Sequence, residues 1–310
     1  MSTAVQPAPS DFSPTPSQIA VAYAVCRGIT RKAAKNFYYA FYILPRPKRR
    51  ALSAVYAFMR RCDDIADDES LSPRERRQKL ADWIDSVHRA LAGYPTDEPV
   101  LLALTHAQRR FDIPPAFLDQ LAEGTAMDVA EQPEGTPQGV RVRYATYEDL
   151  RLYCHRVASV VGLVCIRIFG YKDPAAEPLA EQLGLAFQLT NIIRDVREDA
   201  AVGRIYLPEE DLAKFGIPPE ELSTSMDSDR VAPLLAMEAD RAHEFYQSGD
   251  QLIPLIDEDS QPALWVLSHI YRALLEKIAA RNYDVFHGKV SLTVREKLTI
   301  LGKGFFQRLI

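Results

Sequence analysis

Gln188-Leu-Thr-Asn-Ile-Ile-Arg-Asp-Val-Arg-Glu-Asp-Ala-Ala-Val-Gly-Arg-Ile-Tyr-Leu207 decides how this chain is read. Asn191, Asp195 and Asp199 stand four residues apart within it. On a helix, each step of four turns about 40° and rises about 6 Å, so the three side chains form one oxygen-rich stripe. Such a stripe suits a hard cation such as Mg²⁺, which keeps some waters and takes its other contacts from substrate phosphates. Gly203 is placed to end the helix, and Arg204-Ile-Tyr-Leu-Pro208 turns away from it.

Upstream, Cys62-Asp-Asp-Ile-Ala-Asp-Asp68 repeats the spacing twice, as Asp63/Asp67 and as Asp64/Asp68, and helical geometry alone does not separate the two pairs. Most charge runs are solvated helix faces. Here both stretches follow apolar runs, Ala51–Met59 and Leu183–Leu189. Carboxylates at the end of a buried-looking helix are unusual unless paired or metal-bound. The two acidic faces are therefore expected to hold a cluster of cations between them.

A length of 310 residues allows one large or two ordinary domains. The net charge of −5 gives no basic footprint for nucleic acid. Cys26, Cys62, Cys154 and Cys165 contain no Cys-x-x-Cys pair, which argues against zinc and a disulfide framework and fits a reducing cytoplasm. Residues 1–17, rich in Pro and Ser, are expected to be a disordered tail without a signal leader, and 18–310 one domain. The longest apolar run, Val157–Ile166, is halted by Arg167 and is short for a membrane span.

Helical periodicity dominates, with no alternating strand pattern. Helices are expected over Ser17–Lys35, Lys48–Asp68, Pro99–Phe111, Pro114–Asp128, Glu177–Ala200, Arg230–Leu252, Gln261–Phe286 and Thr293–Leu309. Two more begin at capping boxes, Ser72 with Glu75 (running to about Leu91) and Thr146 with Asp149 (running to about Phe169). Lys35–Leu44 is an aromatic-rich segment stopped by prolines, Glu131–Gly139 a Pro/Gly loop, and Pro208–Met226 a loop with short turns. The fold class is all-α, a single helical domain.

Tyr56-Ala-Phe-Met-Arg-Arg-Cys-Asp-Asp-Ile-Ala-Asp-Asp68, Tyr153-Cys-His-Arg-Val-Ala-Ser-Val-Val-Gly162 and Asn191-Ile-Ile-Arg-Asp-Val-Arg-Glu-Asp199, in this order, resemble the signatures of the squalene/phytoene synthase family. Arg204–Pro208 extends a resemblance that runs from about Ala20 to Leu298. It implies an isoprenoid-synthase helical bundle with a central cavity. The implied chemistry joins two prenyl diphosphates head to head with Mg²⁺, or Mn²⁺. One allylic diphosphate ionises, and the double bond of the second attacks the carbocation to form a cyclopropyl intermediate.

The family pattern favours Asp63 and Asp67 over Asp64 and Asp68, and with Asn191, Asp195 and Asp199 they form the expected metal set; Glu198 is held in reserve. Arg60, Arg194 and Arg204 are expected on the diphosphate, since guanidinium is forked and permanently charged. Tyr153 matches the family's functional tyrosine, which handles a proton or steadies the cation, and Tyr56 shares the Arg60 motif as a further catalytic candidate. Tyr206 and Tyr283 are weaker candidates of this kind, and Asp128 stands where relatives carry an acidic or polar site residue.

Phe37, Phe41, Tyr56, Ala158, Val161, Gly162 and Leu185 are expected to wall a dry cavity, with Gln188 also on the substrate. Apolar walls supply binding at about 0.8 kcal/mol per buried CH₂, and aromatic faces favour cations. Gly162 would permit a close helix approach or leave room for a prenyl chain. His155 has no partner at ligand spacing and is read as structural. Where relatives often carry serines, this chain has Ala33-Ala-Lys-Asn36, so that diphosphate contact is absent or taken by Lys35 or Asn36.

The leading expectation is condensation of two farnesyl diphosphates to presqualene diphosphate, onward to squalene if NADPH is used, with the Tyr153–Gly162 run most like the hopanoid branch. The alternative substrate is geranylgeranyl diphosphate, giving phytoene. Rivals of another kind are a non-catalytic helical scaffold, against which every ligand position is filled, and a terpene cyclase or diphosphate hydrolase, against which Tyr153–Gly162 argues. The eukaryotic squalene synthases' C-terminal membrane helix is absent, and no Gly-x-Gly-x-x-Gly signature is present. Loose membrane association without an anchor is expected from the greasy product; oligomeric state is not legible.

Overall fold

The computed structural model describes residues 13–33, 37–129, 142–223 and 228–307. Its helices are α1 (Pro16–Ala33), α2 (Phe37–Ile43), α3 (Arg46–Ala66), α4 (Pro73–Leu91), α5 (Pro99–Phe111), α6 (Pro115–Met127), α7 (Tyr147–Cys154) and α8 (Val160–Phe169). They continue with α9 (Ala176–Ala201), α10 (Glu209–Lys214), α11 (Ser228–Leu252), α12 (Gln261–Ala279) and α13 (Val294–Gln307). The fold is all-α, as expected. Prolines stand in the first turn of α3, α4, α5 and α6, where a missing N–H costs nothing. Both expected capping boxes form: the Ser72 N–H donates to Glu75 Oε2 at 2.8 Å, and the Thr146 N–H to Asp149 Oδ2 at 3.0 Å.

Helix α9 is the centre of the bundle. It packs along α11 and against α8 and α12, burying Leu183, Leu189, Ile193 and Val196. Gly162 answers the question its position raised: a Cβ there would stand 2.6 Å from the Ala180 carbonyl oxygen. A Cβ on Gly184 would stand 2.5 Å from the Ala158 carbonyl oxygen. These two contacts seat α8 and the turn before it directly on the backbone of α9.

Three features depart from the sequence reading. The helix expected from Thr146 to Phe169 is interrupted by a π-helical turn over His155–Ser159, in which the Val160 N–H reaches back to the His155 carbonyl. The whole stretch Tyr147–Phe169 is long and apolar enough to cross a bilayer, but half of its most apolar window is buried inside the fold, so it reads as a core element. Helix α12 stops at Ala279 rather than Phe286, because Asn282 and Tyr283 take left-handed φ values of 52° and 56°. A two-residue parallel pair, β1 (Val142–Arg143) with β2 (Arg204–Ile205), joins segments far apart in sequence. Gly203, with φ 78°, ends α9 as expected. The Glu131–Gly139 loop, Lys35, Asn36 and the Phe37 side chain lie outside the described part of the structure.

Candidate active site

Helices α3 and α9 turn their acidic stripes towards one polar cavity of about 260 Å³. Asp63 and Asp67 line it from α3, and Asn191, Asp195 and Asp199 from α9. Of the two pairs that helical spacing left open, Asp63 and Asp67 line the cavity, and Asp64 and Asp68 do not. Asp64 is exposed and pairs with Arg60 at 2.6 Å, while Asp68 accepts from Ser70. Glu198 is also exposed, outside the cavity and 3.9 Å from Lys289 Nζ.

The carboxylates are strained by their surroundings. Burial, with Asp67 beside it, pushes Asp63 up to about 6. Burial and the Asp195 charge push Asp199 up to about 7. Burial pushes Asp195 upward too, but the Arg194 guanidinium and Lys289 Nζ, at 2.7 Å, outweigh it and hold its carboxyl below the ordinary value. Arg194 grips Asp195 through Nε at 2.8 Å and also through Nη2. Arg204 Nη2 meets Asp67 Oδ1 at 2.7 Å; burial lowers the guanidinium's pKa, but this bond together with the nearby Tyr206, Asp128 and Asp67 charges raises it overall.

Among the described residues, no three His, Cys, Asp or Glu side chains come close enough to hold a metal ion by themselves. The cation cluster expected between the two faces is thus not preformed by protein groups alone. The donor set still fits Mg²⁺, which is commonly bound by one or two carboxylates, waters and substrate phosphates. Asp63 and Asp199 are raised by burial first and by neighbouring carboxylates second, and a bound cation would offset both effects.

At one edge of this cavity, Asp128 accepts from Tyr206 OH at 2.8 Å and from Tyr153 OH at 3.0 Å. The two phenolic oxygens lie 3.2 Å apart, and their rings stack with centroids 5.0 Å apart. Tyr144, delivered by β1, stacks on Tyr206 with a centroid separation of 6.2 Å. Burial first, then the Asp128 charge, pushes both Tyr153 and Tyr206 well above the ordinary tyrosine value, so both stay protonated at neutral pH. Asp128, a weak candidate in the sequence, is the hub of this group.

A second, apolar cavity of about 260 Å³ shares Arg60, Asp63, Gln188 and Asn191 with the first. Its walls include the expected Phe41, Tyr56, Ala158, Val161 and Gly162. The twelve residues from Leu52 to Asp63 on α3, and the twelve from Ala180 to Asn191 on α9, each rise about 16 Å over their eleven steps. The cavity is therefore a slot running from the acidic stripes to the far ends of the helices.

Two expected residues are corrected. Leu185 is buried but lies off the slot, which α9 lines instead with Ala180, Leu183, Gly184, Phe187, Gln188 and Asn191. Tyr283 lines neither cavity; the early end of α12 leaves it in the turn that follows, beside Asp240. Sequence reasoning missed Phe187 and Tyr271, stacked at 4.4 Å in the slot wall, and Lys289 and Tyr144. Phe187 stood in the apolar run before the second acidic motif, which was a usable signal. The other three depend on long-range packing that no local spacing announces.

A slot with a carboxylate- and guanidinium-lined mouth defines a class of protein, the helical prenyltransferases. The profile of the family described as squalene/phytoene synthase matches residues 30–296, and the chain belongs to that family. It is 40% identical over 288 residues to "Phytoene synthase" of Mycobacterium tuberculosis (strain ATCC 25618 / H37Rv), covering 92% of this chain and 90% of that protein. To "Presqualene diphosphate synthase" of Rhodopseudomonas palustris (strain ATCC BAA-98 / CGA009) it is 33% identical over 267 residues, covering 86% and 91%. The crystal structure of a dehydrosqualene synthase in complex with ligand superposes with a TM-score of 0.81 at 31% identity, covering 94% of this chain and 98% of that one. Squalene synthase HpnC from Alicyclobacillus acidocaldarius gives 0.76 at 29% identity, covering 87% and 97%.

Proposed function

We propose that this protein joins two geranylgeranyl diphosphates head to head to give phytoene, with Mg²⁺ as cofactor. The observation that carries the reaction class is the continuity of the two cavities: Arg60, Asp63, Gln188 and Asn191 belong to both. A diphosphate at the acidic mouth then has its tail in the slot. The choice of the longer substrate is supported by the 40% identity to a phytoene synthase against 33% to a presqualene diphosphate synthase. That moves the preference away from farnesyl diphosphate. An extended chain rises about 1.2 Å per bond, so a farnesyl tail spans about 14 Å and a geranylgeranyl tail about 18 Å. The slot, about 16 Å along α3 and α9, lies between the two lengths and leaves that choice to the sequence identities.

Asp63 and Asp67 on one side, and Asn191, Asp195 and Asp199 on the other, would hold Mg²⁺. When bound, the ion supplies neutralisation of the leaving diphosphate's charge. Arg194 and Arg204, now paired with Asp195 and Asp67, would exchange those carboxylates for diphosphate oxygens, and Arg60 would exchange Asp64. The apolar walls keep water from the carbocation. Protonated Tyr153 and Tyr206 present stacked aromatic faces and weakly nucleophilic hydroxyls beside the mouth.

Loose attachment to membranes is part of the same reading. Between Phe12 and Cys62 the sequence has ten Lys and Arg residues and no Asp or Glu, although the whole chain carries −5. Val21 and Val25 are exposed in that region, on α1. Of the ten, Arg27, Arg31, Lys32, Arg46 and Arg61 are exposed, and basic side chains beside apolar points suit anionic lipid.

Incubation with farnesyl or geranylgeranyl diphosphate and Mg²⁺, followed by mass spectrometry, tests the assignment. Phytoene from the longer substrate is expected. Exclusive turnover of farnesyl diphosphate to presqualene diphosphate would replace it.

A further inference from the structure

The slot ends against Leu52 of α3, Phe169 of α8 and Leu264 of α12. All three stand on helix ends held by one ammonium group. Lys48, a turn before Leu52, donates through Nζ to the Phe169 carbonyl at 2.7 Å, to Asp259 Oδ1 at 2.5 Å and to Asp257 Oδ2 at 3.1 Å. It also lies 3.1 Å from Ser260 Oγ, so three N–H groups are shared among four acceptors. Its side chain is only 13% exposed. Ser260, fully buried and a turn before Leu264, donates in turn to the Phe169 carbonyl at 3.1 Å.

The same point is reinforced through the backbone. The Asp257 N–H donates to the Gly170 carbonyl at 2.8 Å. Gly170 has φ 80°, and a Cβ there would stand 2.1 Å from Asp257 Oδ2. Helix ends carry unsatisfied carbonyls and loosen unless tied, and a cation at the C-terminus of α8 also suits the helix dipole. One side chain therefore fastens the three segments that carry the bottom of the slot.

We propose that Lys48, with Asp257, Asp259 and Ser260, is a positioning clamp that fixes the floor of the prenyl slot and so sets the longest tail accepted. The inference rests on the prenyl diphosphate reading of the same cavity. Lys48 touches no reacting atom in it. Freed from the clamp, Leu52, Phe169 and Leu264 can part, and a tail one isoprene unit longer gains room.

Lys48→Met, which keeps the stem and removes the charge, and Asp259→Asn, which leaves Lys48 paired with Asp257, test the clamp. The readout is the ratio of kcat/KM for farnesyl, geranylgeranyl and geranylfarnesyl diphosphates, with thermal melting followed alongside. One methylene in an apolar pocket is worth roughly 10- to 200-fold in discrimination. The clamp predicts that either variant raises the ratio for the longest tail over the preferred one by at least about tenfold. An unchanged ratio, with lower melting or uniformly slower turnover alone, overturns it. Should Lys48→Met fail to fold, the Asp259→Asn ratio decides by the same criterion. Wild-type protein inactive on all three diphosphates would instead overturn the prenyl reading, and the clamp with it.

Discussion

Arg204 Nη2 lies 2.7 Å from Asp67 Oδ1, linking the strand that follows the central helix to the acidic stripe of α3. The contact spans 137 residues of sequence and keeps a guanidinium on the rim of the polar cavity. It also sorts the four aspartates of the first motif. Asp67→Ala and Asp195→Ala should each lower kcat/KM by at least about 10²-fold without loss of helical signal. Asp68→Ala, which removes two exposed bonds from Ser70, should change it by no more than about threefold. Steady-state kinetics with far-ultraviolet circular dichroism checks both, and near-normal Asp195→Ala activity would remove the metal assignment.

Asp128 receives two phenol hydrogen bonds in a buried place. Removing either hydroxyl leaves the carboxylate short of a donor, at about 1–3 kcal/mol. Tyr153→Phe and Tyr206→Phe should each melt earlier, and their double variant should show strong coupling because they share one acceptor. Denaturant titration of the four proteins measures it. Additive losses would mean that the hydroxyls act independently.

Glu238, which lines neither cavity, sets a pH dependence of its own. It is 1% exposed and accepts from Arg241 Nη1 at 2.8 Å, and Asp211 shares the same guanidinium. Burial pushes its carboxyl from 4.5 up to about 7 against the opposing pull of Arg241. The native state then holds more protons than the unfolded chain between those values, so stability falls as pH rises from about 4.5 to about 7. The loss from this one group is at most about 3 kcal/mol. Glu238→Gln should flatten the melting temperature across that window; an identical slope in the variant would exclude Glu238 as its source.

Membrane attachment should be electrostatic. The protein is expected to sediment with vesicles containing anionic phospholipid at low ionic strength and to release at about 1 M salt, where screening acts within about 3 Å. Equal binding to purely zwitterionic vesicles would point away from the basic stretch between Phe12 and Cys62.

Much of this architecture is written locally. The starts of α4 and α7 follow from Ser72 with Glu75 and Thr146 with Asp149, because a cap is decided within four residues. The Asn191–Asp195–Asp199 stripe follows from helical pitch alone. The position of Asp63 and Asp67 in the cavity, with Asp64 and Asp68 outside it, depends on how α3 is rotated against its neighbours, which no spacing within α3 contains. Two-residue strands such as β1 and β2 are too short to show a period, so Tyr144 could not be joined to Tyr206 in advance. The end of α12 is not legible because nothing in Arg281–Phe286 breaks helical periodicity; Asn282 and Tyr283 instead turn left-handed.

The wide turn over His155–Ser159 places one surplus residue in a helix that is otherwise in regular phase. Excising a single residue there would restore the ordinary hydrogen-bond frame and leave Val160–Phe169 in phase with Tyr147–Cys154. The residues inside the turn would be the ones to move: Val157 and Ala158 line the slot from it, and the Ala158 carbonyl meets Gly184 of α9. The spare residue thus presents those two positions to the cavity, and the helix beyond the turn would not register its loss.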